Sequence, residues 1–185
     1  MTYGTRTDHY PAASKWLHWL IAACVLITAP VAIAMTRMAE GPSQDALYNF
    51  HKSLGVTIFV LMLLRLANRL IAGAPVADPG ILPWQKTVSS IVHASLYVLL
   101  LAMPIVGYFA NSLFGAPTLF VGLFDLPPIV AKNEPLATQF FTVHRWSGYL
   151  LIAIVLTHIA AALYHAFIRR DEVLKRMLPQ AMGGY

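Results

Sequence analysis

The sequence predicts an all-α integral membrane protein built as a four-helix bundle. Hydrophobic residues fill 58% of the 185 positions and charged residues only 11%, whereas a soluble domain carries roughly 25% charged residues. Four apolar segments are long enough to cross a bilayer, and none alternates as a barrel strand would. Because a bilayer forces the backbone to satisfy its own hydrogen bonds, these segments are expected to be helices.

The four spans follow from the length that a membrane helix requires, about 20 mainly apolar residues. Pro11, Pro83 and Pro135 suit the first turns of helices. The longest connection, residues 111–134, contains an apolar stretch and is expected to pack on the outer membrane face. The length of the chain predicts a single domain over residues 1–185. We place the spans at about residues 11–35, 47–71, 83–110 and 135–167.

The basic residues predict the orientation of the bundle. The formal net charge is +5, and Lys and Arg cluster at the ends of the apolar segments rather than along a stripe that could bind nucleic acid. Under the positive-inside rule the richer side faces the cytoplasm, which places both termini there. One side carries Arg6, Lys15, Arg65, Arg69, Lys86, Arg169, Arg170, Lys175 and Arg176, and the other carries Arg37, Lys52, Lys132 and Arg145.

The cysteine content excludes several kinds of site. Cys24 is the only cysteine, and it lies inside the first apolar segment. A single thiol cannot form an internal disulfide, a zinc or iron–sulfur site built on clustered cysteines, or the C-x-x-C-H attachment of c-type haem.

The four apolar spans contain several histidines, which are unusual in membrane-spanning segments. An ionisable side chain in hydrocarbon is costly and needs a partner, yet the four spans contain no Asp or Glu. Neutral imidazole is a common metal ligand, although a single histidine on an apolar face can also be a plain core residue. Of the seven histidines, His9 lies in the N-terminal tail and His165 near the cytoplasmic end, and five lie in or near the hydrocarbon: His18, His51, His93, His144 and His158.

The spacing within the fourth span indicates the kind of metal site. His144 and His158 are fourteen residues apart, which returns to nearly the same helix face about 21 Å further along the axis. This separation suits two metals rather than one. A planar macrocycle held between helices explains it better than a bare zinc or copper ion, because each haem iron needs only two axial ligands.

Chain direction through the membrane supplies partners for these two histidines. His51 in the second span lies level with His144, and His18 in the first span lies level with His158. The sequence therefore predicts two haem b groups, an outer one held by His51 and His144 and an inner one held by His18 and His158. One haem, or none, remains an alternative, and His93 could replace His18 as an inner ligand.

Each outer histidine is followed by a basic residue and, four positions on, by a glycine. Lys52 and Arg145 could neutralise haem propionates. Residues four apart share a helix face, so Gly55 and Gly148 would let a porphyrin approach the backbone. Small residues at this spacing also serve ordinary packing of membrane helices.

Short motifs accompany the histidines and together resemble those of the bacterial cytochrome b561 family over nearly the whole chain. They are KWLHW at 15–19, NFHKSLG at 49–55, Arg65 and Arg69, HASLY at 93–97, MPIVG at 103–107, His144, Gly148, His158 and His165 in the last span, and the tail at 174–179.

The resemblance implies a di-haem b bundle of the bacterial inner membrane that transfers electrons across the bilayer to ubiquinone. His18, His51, His144 and His158 match the ligand positions of the family. Similar members include a superoxide oxidase, an oxidoreductase that takes electrons from superoxide outside the cell membrane and reduces ubiquinone. Lys52 and Arg145 would then attract the anionic donor. The candidates for the quinone site, which could instead be interfacial anchors, are Ser14, Lys15, Lys86, His93 and His165.

Two other functions stay open on the sequence. Related cytochrome subunits pass electrons between a partner dehydrogenase or hydrogenase and the quinone pool. The short extramembrane segments weakly favour a carrier that works without such a partner. A transporter or scaffold without haem is the third possibility.

Overall fold

Four long helices form the framework of the protein in a computed structural model, which describes residues 10–73, 75 and 80–179. Arg6 and His9 lie outside the described residues. A π-helical segment, Tyr164–Arg169, continues the last helix, and a short 3-10 turn, Lys175–Met177, follows it. The helices are α1 (Ala12–Met35), α2 (Pro42–Ala72), α3 (Pro83–Phe114) and α4 (Glu134–Leu163).

All four helices are long and apolar enough to cross a membrane. The predicted fold class, a helical membrane bundle, is confirmed, and the chain is a multi-pass membrane protein. Helix α1 packs mainly on α2 and α3 mainly on α4, while α2 and α3 join the two pairs. Many large apolar side chains are exposed on the outside of the bundle, as lipid-facing residues are.

Helix ends follow from proline and glycine. Helix α2 begins at Pro42, earlier than the predicted start near residue 47, because Pro42 occupies the first turn after Gly41. Helix α3 continues to Phe114 rather than ending near residue 110. It stops where Gly115 takes a left-handed conformation with φ of 83°, the usual end of a helix.

The two ends of the bundle differ, and we name them by what they carry. At the terminal end, the indole of Trp19 donates a hydrogen bond of 2.9 Å to the carbonyl of Met177, which holds the C-terminal segment against the start of α1. At the hairpin end, strands β1 (Thr118–Phe120) and β2 (Phe124–Leu126) pair antiparallel between α3 and α4. The sequence suggested an apolar loop here and did not predict the hairpin.

Among the described residues, a cluster of buried apolar side chains lies in the middle of the bundle. Its members come from α1, α2 and α3, and partly buried residues of α4 such as Leu151 and Val155 pack against it. The core occupies the level between the histidines near the two ends, so it fixes how the helices face one another at both levels. The buried members are Ile21, Val25, Ile58, Met62 and Leu100.

Met62 is the core residue whose loss should cost the most stability, since only 2% of it is exposed. We expect Met62→Ala to lower the free energy of unfolding in detergent by about 2–4 kcal/mol, because it leaves a cavity between helices. Reversible unfolding followed by circular dichroism measures this. Leu64→Ala, at a 53% exposed position on the same helix, is the control. An equal loss from both variants would contradict a packed core at this level.

Candidate functional site

Two histidines from different helices face each other at the hairpin end. The rings of His51 on α2 and His144 on α4 have centroids 6.1 Å apart and planes at 89°. Nδ1 of His144 lies 3.1 Å from the main-chain oxygen of Met103 on α3. A carbonyl can only accept, so Nδ1 of His144 carries the proton and Nε2 of the neutral ring is left as a free electron-pair donor. In the described part of the chain, the buried Nδ1 of His51 has no hydrogen-bond partner.

Three histidines gather at the terminal end. The rings of His18 on α1 and His158 on α4 have centroids 6.2 Å apart, with planes at 79°. His93 on α3 lies closer to His158, at 5.1 Å between centroids. Its Nδ1 is 2.7 Å from the carbonyl oxygen of Ser89, one turn earlier on the same helix. His93 is thus tied to its own helix and rests against His158.

The distances within the two pairs suit a metal between the rings. Two imidazoles on opposite sides of one ion, each nitrogen about 2 Å from it, place their centroids roughly 6 Å apart. The pairs at 6.1 and 6.2 Å meet this requirement. The contact of His93 with His158 at 5.1 Å is too short for it.

The donor set fits haem better than a bare ion. Among the described residues, no group of three or more His, Cys, Asp or Glu side chains could hold a metal ion. An imidazole pair supplies two donors, whereas a protein zinc site usually needs three or four. Haem supplies the missing equatorial donors itself and asks the protein only for axial ligands. The residues present therefore fit haem b.

The glycines at the hairpin end provide space beside the pair. A Cβ atom added to Gly55 would meet no atom within 4 Å, and one added to Gly148 would make an ordinary 3.6 Å contact with the flexible end of Met103. Contacts within the protein do not require glycine at either position. Room for a flat ligand against α2 and α4 would explain both.

Polar contacts fasten the hairpin to α2 next to His51. Nζ of Lys52 donates to the carbonyl of Pro117, so this ammonium is engaged by the loop rather than standing free. The hydroxyl of Ser53 accepts from the amide of Val121 at 3.0 Å. Arg145, the other basic residue predicted here, is exposed. The structure thus keeps both predicted charges at the hairpin end, in different environments.

The residues predicted for a quinone site all belong to the terminal half of the bundle but differ in environment. Ser14 is buried; its carbonyl accepts from Arg65 at 2.8 Å and its hydroxyl from Asn68 at 2.6 Å. Lys15 is also buried, with 7% exposed, while Lys86 is exposed. The sequence does not predict the contacts of Arg65 and Asn68 with Ser14, although Arg65 belongs to one of the motifs of the family.

His165 has a partner that the sequence did not reveal. Its Nδ1 donates to the carboxylate of Asp171 at 2.6 Å, and Arg169 lies 3.4 Å from the same oxygen. Partial burial acts to raise the pKa of Asp171, but the hydrogen bonds from His165 and from the Val173 amide, with the charge of Arg169, hold that pKa below its ordinary value. The π-helical segment and the turn after it bring Asp171 back beneath His165.

Helices that cross the membrane and carry imidazole pairs near both ends define a membrane cytochrome of the b type. A family model described as prokaryotic cytochrome b561 matches residues 9–180. The chain belongs to this family, whose members bind haem b and transfer electrons in membranes. The resemblance noted in the sequence is thereby confirmed.

Relatives match over nearly their full length. The chain is 32% identical to "Cytochrome b561 homolog 1" of Escherichia coli (strain K12), with 94% of this chain and 98% of the relative covered. It is 28% identical to "Cytochrome b561 homolog 2" of the same organism, with 100% and 99% covered. It is also 28% identical to "Probable superoxide oxidase CybB" of Yersinia pestis, with 94% and 98% covered.

Proposed function

We propose that this protein is a di-haem superoxide:ubiquinone oxidoreductase of the bacterial inner membrane. Its hairpin end faces the periplasm, and both termini lie in the cytoplasm. The observation that carries the proposal is the pair of imidazole sites, at 6.1 and 6.2 Å between centroids, linked by one helix. Two haem b groups, bound there, would supply one-electron carriers near both membrane surfaces.

His51 with His144 would hold one haem, and His18 with His158 would hold the other. Helix α4 provides one ligand to each pair, so its register fixes the separation of the two sites at about 21 Å along the helix axis. His93 is assigned a supporting role beside His158, since its ring is too close to His158 for a metal to lie between them.

Superoxide suits the hairpin end as the electron donor. Two superoxide anions release two electrons and become two O₂, and ubiquinone takes up the electrons with two protons to form ubiquinol. Lys52 and Arg145 provide positive charge on this side, and the excess of basic residues at the opposite end supports a periplasmic position. One relative carries the name of a probable superoxide oxidase.

The quinone is assigned to the terminal end, near the second histidine pair. The predicted contacts are Ser14, Lys15, Lys86, His93 and His165. Among these, His165 is best suited to transfer a proton, because Asp171 accepts the Nδ1 proton and leaves Nε2 to take up a proton from the cytoplasmic side and pass it to the quinone. His165 also lies beyond His158 toward the terminal end, where protons enter from the cytoplasm.

Removal of single ligands should separate the two haems. We expect the wild-type protein to bind about two haems per chain, and His18→Ala or His158→Ala to bind about one, since the hairpin-end pair remains intact. A haem-to-protein ratio from pyridine haemochrome spectra measures this. His93→Ala, the control, should keep both. Loss of a haem from His93→Ala, with both haems retained in His18→Ala, would show that the assignment of His18 as the partner of His158 is wrong.

Superoxide should reduce the oxidised protein, and charge at the hairpin end should speed the reaction. We expect Arg145→Gln to slow haem reduction by roughly two- to tenfold at low ionic strength, with the difference shrinking as salt screens the charge. Stopped-flow absorption measures the rate. Arg37→Gln removes a charge from the same end outside the histidine pair and serves as control. If superoxide fails to reduce the wild type, a subunit serving a partner dehydrogenase or hydrogenase becomes the better assignment.

His165 should affect quinone reduction without affecting haem content. We expect His165→Phe to lower the rate of ubiquinol formation by about tenfold or more, because a positioned proton donor is lost, while superoxide still reduces the haems. Tyr164→Phe, next to it and with its ring at the edge of the His165 ring, is the matched control. Unchanged ubiquinol formation in His165→Phe would remove this residue from the quinone site.

A further inference from the structure

Helix α3 supplies no member of the two proposed ligand pairs, yet it makes two close contacts with His144. Two positions one turn apart make the contact. The carbonyl of Met103 accepts the Nδ1 proton of His144 at 3.1 Å, and the backbone of Gly107 lies directly against the imidazole ring. Pro104 stands between these positions in the chain.

The missing side chain of Gly107 is what permits this approach. A Cβ atom added there would lie 2.9 Å from Cε1 of His144, closer than real Cβ atoms come, and a tight 3.1 Å from Nδ1 of the same ring. The obstructed atoms belong to a rigid ring held on α4, so no flexible chain end could swing aside. Gly107 lies inside a regular helix and has no left-handed conformation to explain it. Close approach is therefore the physical reason for glycine at this position.

The other helical glycines near this site are different. Gly55 faces open space, and Gly148 faces only the flexible end of Met103 at 3.6 Å. Of these three glycines, Gly107 is thus the one that cannot be replaced by a larger residue without a clash, and the clash would be with His144.

We propose that Gly107 is a positioning residue for the hairpin-end haem, acting through His144 and the Met103 carbonyl. This inference rests on the proposed function, since it takes His144 to be an axial ligand. The bare backbone at 107 lets the ring reach the carbonyl at 103, which fixes the Nδ1–H tautomer and turns Nε2 toward His51. A histidine ligand that donates its other proton to an oxygen acceptor becomes a stronger base and favours the ferric iron.

The hydrogen bond makes the hairpin-end site asymmetric. His144 is anchored through Nδ1, whereas the buried Nδ1 of His51 forms no well-aligned hydrogen bond within the described residues, although the backbone of Thr28 on α1 lies close enough to act on its imidazole. One ligand of the pair is thus held by the protein in both position and tautomer. Helix α3 would therefore tune the reduction potential of a haem bound at this pair, although it contributes no ligand.

The decisive variant is Gly107→Ala, studied in two backgrounds that each retain one haem. In His18→Ala, which keeps the hairpin-end haem, Gly107→Ala should raise the midpoint potential and change the low-spin absorption spectrum, because His144 is pushed off the carbonyl. Complete loss of the hairpin-end haem from this double variant would also support the inference. In His51→Ala, which keeps the terminal-end haem, Gly107→Ala should change neither potential nor spectrum. Redox titration followed by absorption gives both readings.

Three results would overturn the inference. They are an unchanged potential and spectrum in the His18→Ala background, equal changes in both backgrounds, or the same change from Ile105→Ala, a control on α3 at a lipid-facing position that is 52% exposed. Alanine favours the helix more than glycine does, and circular dichroism verifies that the bundle has formed. Absence of haem from the wild-type protein would instead refute the proposed function, so the two failures are distinguishable.

Discussion

The spacing of His144 and His158 on α4 is the constraint on which the rest of the arrangement depends. A helix turns about 100° and rises about 1.5 Å per residue, so fourteen residues return to one face at the other side of the bilayer. Each imidazole then needs a partner at its own level. The antiparallel course of α1 and α2 provides it, since His18 lies near the start of the first helix and His51 near the start of the second. The core around Ile58 and Met62 keeps these levels apart.

The four helices contribute different groups to the two histidine pairs. Helices α1, α2 and α4 carry the paired imidazoles, whereas α3 carries the groups that touch them, His93 beside His158 and Met103 with Gly107 beside His144. In hydrocarbon an unpaired polar atom is expensive, so each imidazole proton is best met by a fixed acceptor. Main-chain carbonyls of α3 serve this purpose for His93 and His144 and add no further charge to the membrane.

Different contacts hold the loop at the hairpin end and the C-terminal segment at the terminal end. At the hairpin end, Lys52 and Ser53 bind the loop that carries the β-hairpin. At the terminal end, the chain turns through a π-helical segment and returns Asp171 to His165, while Met177 meets Trp19. A small anionic donor at the first end and a quinone with its protons at the second would meet environments of the required polarity.

Composition and periodicity determined the helical membrane fold and the levels of the histidines, because hydrocarbon permits few residue types and a helix repeats regularly. The distances between rings were decided by tertiary structure, including the 5.1 Å between His93 and His158. Tertiary structure also decided that Asp171 is the partner of His165, that residues 118–126 form a hairpin, and that Gly107 lies against His144. Each of these features depends on where a second segment of the chain lies. The sequence around a glycine does not indicate which side chain packs against it. A main-chain carbonyl such as that of Met103 is present at every residue, so the sequence does not indicate which one accepts a hydrogen bond. Local sequence fixes which side chains a helix presents, and only packing fixes what each of them meets.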